Sequence, residues 1–306
     1  MTLLDAATDL AATRLTPDVE TRRLTLFGRV RSVHRAAIYV DLDGPPGALV
    51  IAIESVGGVP AGILVRGSTN LAALGVRAGM SFEPTAGGWS IPSAGIRIDA
   101  AGAATWSSAL PLTARLVTGP DLARRIAAAR AIAALSVRSG GLWPSGAAHS
   151  SEEPWLSRAR ALIDALLDGL GNDDGDRATG AALGLVGLGI GLTPSGDDYL
   201  VGLLAGLEAT GHPLHGLLAA AVAADVPGRT TGVGAAALTH ASLGAYPERL
   251  HDVLVAVASE AATSGDLVRA VERAMEFGAT SGSDTLAGLF AALDLPAAGR
   301  SAKAAA

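Results

Sequence analysis

Ser195-Gly-Asp-Asp-Tyr-Leu-Val-Gly-Leu-Leu-Ala-Gly-Leu207 aligns without gaps to Ser281-Gly-Ser-Asp-Thr-Leu-Ala-Gly-Leu-Phe-Ala-Ala-Leu293. A Leu/Ala/Gly coincidence arises easily in so Ala-rich a chain. The Ser-Gly-x-Asp order in front of it does not. The pair reads as two related helix starts, related by a pseudo-twofold. Gly202 and Gly288 fall at equivalent positions and would let the helix bodies approach closely, with Leu200, Leu203, Leu286 and Leu289 packing between them. Asp198 and Asp284 would then face a shared pocket.

Outward from these segments the chain reads as helix upon helix. Apolar spacing predicts helices over 121–137, 155–170, 178–186, 197–209, 214–224, 231–243, 248–262, 266–277 and 285–293. Ser139 to Pro154 is a Gly/Ser/Pro-rich connection. The first third is different. Leu24, Leu26 and Val30, then Ile38, Val40 and Leu42, then Leu49, Ile51 and Ile53, then Ile63 and Val65 alternate as half-buried strands. Asp43-Gly44-Pro45-Pro46-Gly47 and Gly57-Gly58 supply turns, and Trp89, Ile91, Ile96 and Ile98 mark two more strands. The expected fold class is α+β. A small barrel or sandwich would occupy residues 1–115, and an all-α, Ala/Gly-rich domain residues 116–306.

Composition bounds the function. Hydrophobic residues make up 49% of the chain and charged residues 17%, so a sizeable core forms and a disordered chain is excluded. The absence of cysteine excludes disulfides, thiolate catalysis and Cys-ligated zinc, and fits a cytoplasmic location. A net charge of −6 and no basic patch with interleaved aromatics argue against nucleic acid as a partner. The uncharged run Ala178 to Gly196 is broken by glycines and Pro194 and ends on Asp197-Asp198. It reads as buried helix rather than a membrane span. Met1 to Arg14 carries Asp5 and Asp9 and lacks a basic start, so no signal peptide is expected.

The most informative stretch for chemistry is Gly187-Leu-Gly-Ile-Gly-Leu-Thr-Pro-Ser-Gly-Asp-Asp198. Gly187, Gly189 and Gly191 permit positive φ and close approach of a ligand to the backbone. Thr193, Ser195, Gly196 and free helix-start amides could bind an anion. Asp197 and Asp198 add carboxylates in the first turn. Read alone, Ser195 is a helix cap and the acids complement the helix dipole. The preceding glycines, and the recurrence at Ser281, Gly282 and Asp284, favour a site.

Standard motifs fail here. Asp197 and Asp198 stand where a Walker A loop needs Lys and Ser/Thr, and no strand precedes the glycines as a dinucleotide fingerprint requires. Neither Ser195 nor Ser281 sits in a nucleophile elbow. The histidines, His34, His149, His212, His215, His240 and His251, form no metal motif. Asn172-Asp173-Asp174-Gly175-Asp176 lacks the acidic residue that completes a calcium loop and reads as a solvated acidic turn. Arg229-Thr230-Thr231 reads either as a Thr cap on a surface helix or as an anion clamp.

Gly191-Leu-Thr-Pro-Ser-Gly-Asp-Asp198, followed by an apolar helix with Gly202, resembles the hallmark of the AllH family. The likeness extends to Val30-Arg-Ser-Val-His34, to the Thr230-Thr231 helix and to the second Ser-Gly-x-Asp. In the family pattern a His often stands at the position of Ala279 and an aromatic at that of Ser283. The resemblance implies a subunit of an enzyme of allantoin breakdown that interconverts oxalurate plus phosphate with oxamate plus carbamoyl phosphate. It also implies an acyl-CoA-synthetase-like companion subunit and a further companion. Carbamoyl transfer needs donors for phosphate and carbonyl oxygens and acceptors for the carbamoyl NH₂. The catalytic candidates are therefore Asp197, Asp198 and Asp284. The substrate-binding candidates are Gly189, Gly191, Thr193, Ser195, Gly196, Arg229, Thr230, Thr231, Ser281 and Gly282. Carboxylates beside a phosphate need a counter-charge: Arg229, a divalent cation or a partner's arginine. No cofactor is otherwise called for. The alternative is a non-catalytic small-molecule-binding or assembly subunit of a multi-subunit enzyme, since no residue announces itself as a nucleophile.

Overall fold

Alternating apolar side chains close the first part of the chain into a β-barrel. Its strands are β1 (Thr8–Leu15), β2 (Gly28–Val33), β3 (Ala37–Leu42), β4 (Ala48–Ile53), β5 (Gly62–Arg66), β6 (Ser81–Thr85), β7 (Gly88–Ile91) and β8 (Ile96–Asp99). Hydrogen bonds run β5-β4-β3-β2-β6-β7-β8-β1, and β1 pairs back onto β5, so the sheet has no free edge. The pairs β4–β5 and β1–β8 are parallel. A short β9 (Ala104–Thr105) adds alongside β1. Leu10, Val30, Ile38, Val40, Leu49, Ile51, Ile63, Val65, Phe82, Trp89 and Ile98 fill the core. The Phe82 and Trp89 rings stack there with centroids 6.3 Å apart. A short helix, α1 (Pro17–Thr21), follows β1.

The computed structural model describes residues 8–44, 47–111, 120–144, 153–226 and 228–295. The Pro45-Pro46 part of the expected turn, residues 145–152 of the expected connection with His149, and the first seven residues lie outside them. The chain divides into two units, Met1–Ser108 and Ala109–Ala306.

The second unit is helical: α2 (Pro120–Ala134), α3 (Pro154–Gly171), α4 (Gly175–Leu185), α5 (Ser195–Thr210), α6 (His215–Asp225), α7 (Gly232–Ser242), α8 (Glu248–Ala258), α9 (Ser264–Met275) and α10 (Ser281–Leu293). At its centre α5 and α10 lie against each other. Around α5 pack α4, α6, α7 and α8, and around α10 pack α2 and α9. Every residue from Ser195 to Leu207 is buried, so α5 is apolar on all sides because it is surrounded. This accounts for the mean hydropathy of +0.39. Among the described residues no helix is long and apolar enough to cross a membrane.

Glycine sets the central contact. A Cβ on Gly202 would lie 1.8 Å from the Thr285 carbonyl oxygen, and one on Gly288 would lie 2.0 Å from that of Tyr199. Further along, a Cβ on Gly206 would meet the Ala292 methyl at 2.6 Å. Residues at matching positions of the two helices thus meet in parallel order, which brings the two N-termini to the same end. Leu203 and Leu289 stand at the crossing, and Leu200 and Leu286 are fully buried beside it.

Several boundaries depart from the sequence reading. The expected strand from Leu24 starts only at Gly28, because Arg23–Thr25 forms a 3-10 turn that leaves Leu24 65% exposed. Helix α8 stops at Ala258, where Ser259 turns to extended geometry. Helix α10 starts at Ser281 rather than Thr285. The acidic turn at 172–176 serves as a helix cap, with the Asp174 carboxylate accepting from the Arg177 N–H at 3.0 Å.

Candidate functional site

Each Ser-Gly-x-Asp segment enters its helix over a tight turn. The Gly196 N–H donates to the Leu188 carbonyl at 2.8 Å, and the Gly282 N–H donates to the Phe277 carbonyl at 2.9 Å. The glycines are required by packing. A Cβ on Gly196 would stand 2.1 Å from the Leu185 carbonyl oxygen at the end of α4, and one on Gly282 would stand 2.1 Å from that of Ala274 near the end of α9. Gly189 and Gly278 also correspond. Both have positive φ (123° and 68°), and both sit against the serine that follows. The first turn is longer, with eight positions from Leu188 to Gly196 against five from Phe277 to Gly282. The extra length carries Ile190 and Leu192 to the surface, 74% and 50% exposed.

The two starts exchange hydrogen bonds. Helix α5 is entered through Pro194 and α10 through Thr280, neither with a side-chain cap. Ser195 is therefore no N-cap, which corrects the simplest reading of the motif. Its hydroxyl hydrogen-bonds the Asp284 carboxyl on the other helix. Reciprocally, the Ser281 and Thr193 hydroxyls hydrogen-bond the Asp198 carboxyl, and Thr193 and Ser281 lie 3.0 Å apart. The Leu142 N–H, from the segment after α2, donates to Asp284 Oδ1 at 2.6 Å.

Three carboxyls are buried here, and they have different surroundings. Asp197 is 0% exposed and fully engaged: Oδ1 accepts from the Gly187 N–H at 2.7 Å, and Oδ2 accepts from the Thr230 hydroxyl. Burial still raises its pKa, offset by these donors. Asp198 and Asp284, 7% and 0% exposed, each keep an Oδ2 without a hydrogen-bond partner among the described residues. Burial pushes Asp198 up to about 8; Ser281 and Thr193 pull it down, the charge of Asp284 adds to the rise, and Arg249 opposes it. Burial also raises Asp284, against the Leu142 N–H, Ser195 and Thr280. Asp198 thus keeps its proton at neutral pH.

The structure divides the sequence candidates. Asp198, Asp284, Ser195, Ser281 and Thr193 come together. Asp197, Thr230 and Thr231 form a clamp behind them. Thr231 caps α7 by accepting from the Gly234 N–H at 3.0 Å and donates to the Leu192 carbonyl, so it ties the glycine turn to a third helix start. Thr231→Ala is expected to cost about 1–2 kcal/mol, measured by chemical denaturation, and to loosen the turn at Leu192. The amides expected to be free for an anion are engaged: Gly196 and Gly282 as above, and Asp197 and Asp198 with the Pro194 carbonyl. Arg229 ion-pairs with Asp225 and donates to the Leu183 carbonyl at 2.9 Å. Gly191, with φ 102°, lies exposed at the turn. Among the described residues no group of three or more His, Cys, Asp or Glu is placed to hold a metal ion.

Sequence reasoning missed Arg249 and the Leu142 amide. Nothing in their spacing ties them to residue 198 or 284; only the packing of α8 and of the segment after α2 does.

Residues 185–293 match the AllH family. The family is described as oxamate carbamoyltransferase subunit AllH. The AllH match begins at the last residue of α4 and ends with α10, so it takes in both helix starts, the Thr230–Thr231 clamp and Arg249. This bears out the resemblance carried by Gly191 to Asp198. No solved structure matches the chain.

Proposed function

We propose that the chain is a subunit of a carbamoyltransferase that interconverts oxalurate plus phosphate with oxamate plus carbamoyl phosphate, and that Asp198 and Asp284 act on the carbamoyl group. The observation that carries this reading is the pair of buried carboxyls with unpartnered Oδ2 atoms at adjoining helix starts within the AllH segment. In the phosphorolytic direction a phosphate oxygen attacks the carbamoyl carbon, the carbon–nitrogen bond to oxamate breaks, and the departing amide nitrogen takes a proton. A protonated Asp198 has that proton to give. Asp284 Oδ2 is an acceptor for the carbamoyl NH₂. Asp197 holds the turn rather than the substrate. Companion subunits, one of them acyl-CoA-synthetase-like, would supply the remaining surfaces.

The assay is phosphate-dependent oxalurate cleavage by the chain co-expressed with its companions. Carbamoyl phosphate and oxamate should form in equal amounts. No product from any companion set, while a working AllH-family complex turns over in parallel, would overturn the reading. A second reading, a non-catalytic assembly subunit, draws on the depth at which both carboxyls are buried. It requires turnover to survive Asp198→Asn.

A further inference from the structure

We propose that Arg249 is the oxyanion-binding residue of this site: its guanidinium, stacked on the Phe277 ring at the turn into α10, takes the phosphate or the carboxylate end of the substrate. The inference rests on the reading of the two helix starts as the substrate site. That site needs a positive group, because two carboxyls and an oxyanion substrate repel one another wherever a carboxyl is ionised. The helix-start amides do not meet the need, since Gly196, Asp197, Asp198, Gly282 and Asp284 all donate to nearby carbonyls. Arg229 is directed to Asp225, and Arg138 donates to the Gly278 carbonyl at 3.0 Å.

Arg249, in the first turn of α8, differs in position. Its guanidinium carbon lies 3.5 Å from the centre of the Phe277 ring, and the Phe277 carbonyl accepts the N–H of Gly282. The cation therefore sits over the turn that opens α10, close enough for its charge to act on Asp198. Ring stacking engages the face of a guanidinium and fixes its plane, while its N–H groups point outward in that plane, the geometry suited to a carboxylate or phosphate edge. The two acids of the same helix, Glu248 and Asp252, ion-pair with Arg273 from α9.

The test is calorimetric titration of the full-length chain with inorganic phosphate and, in parallel, with oxamate. Both should bind if the seat takes any small oxyanion; binding of only one identifies the group it receives. Arg249→Met should weaken binding by about tenfold or more, the scale of a lost charge-assisted contact. Phe277→Leu should weaken it less, and Arg229→Met should leave it unchanged. Should Arg249→Met not fold, Arg249→Gln takes its place under the same criterion. Binding unchanged in the Arg249 variant, or no binding of either anion to the wild-type chain, would overturn the assignment. Arg249-dependent binding by a complex that transfers no carbamoyl group would instead overturn the transferase reading and leave this one standing.

Discussion

Asp198→Asn is expected to abolish most turnover while making the protein more resistant to unfolding at pH 8. Both effects come from one buried group. The Asp198 pKa rises from 3.8 in the unfolded chain to about 8 in the folded one, so between these values the folded state binds a proton that the unfolded state does not. Stability linked to that proton is fully present below pH 3.8 and is lost as pH rises through 8. The slope is about 1.4 kcal/mol per pH unit, so the wild-type chain loses on the order of 4 kcal/mol between pH 5 and pH 8 through this group alone. Asparagine mimics the neutral acid and cannot ionise. Urea unfolding across that range should therefore show a flatter pH dependence in the variant, with the largest gain at the alkaline end. Turnover should fall by roughly 10²–10⁴-fold, as for loss of a general acid. A variant with wild-type pH dependence of stability would show that Asp198 is ionised throughout.

Gly202→Ala and Gly288→Ala are expected to be the most damaging conservative changes in the helical unit. Either Cβ would lie within about 2 Å of a backbone carbonyl oxygen on the facing helix, a contact that no side-chain rotation relieves. The helices must separate, and the cost should reach about 3 kcal/mol or more, enough to lower the melting temperature by roughly 10 °C in a unit of this size. Gly180→Ala is the control. It lies inside α4 with nothing within 4 Å of its Cβ, so it should stabilise the helix by about 0.5–1 kcal/mol through propensity alone. Equal melting temperatures for Gly202→Ala and Gly180→Ala would contradict the close crossing of α5 and α10.

The crossing was legible because glycine and serine recur at matched positions in the two helices, a pattern that propensity does not require. The barrel strands from Ile38 to Ile98 were legible because each alternates apolar and polar side chains. Strand β1 was not: Thr8–Leu15 is Ala-rich, and a bulge between Ala12 and Arg14 interrupts its register. The helix starts misled in one respect. Ser195 and Asp284 look like local capping groups, and only the packed pair shows that the serine serves the opposite helix. Asp197 and Asp198 are adjacent and chemically identical, yet successive helix positions face different neighbours. One is sealed by Gly187 and Thr230, and the other meets Ser281. Arg249 lay beyond reach because its place over Phe277 depends on how α8 packs, which no local spacing encodes.

Turnover of the assembled enzyme in a double-mutant cycle of Asp198→Asn and Asp284→Asn tests most directly whether the two helix starts form one catalytic site. Each single variant is expected to lose roughly 100-fold or more, with the double variant within about tenfold of the worse single, as for groups that act as a unit. Losses that simply multiply, or full turnover in either single variant with the complex intact, would contradict a shared site.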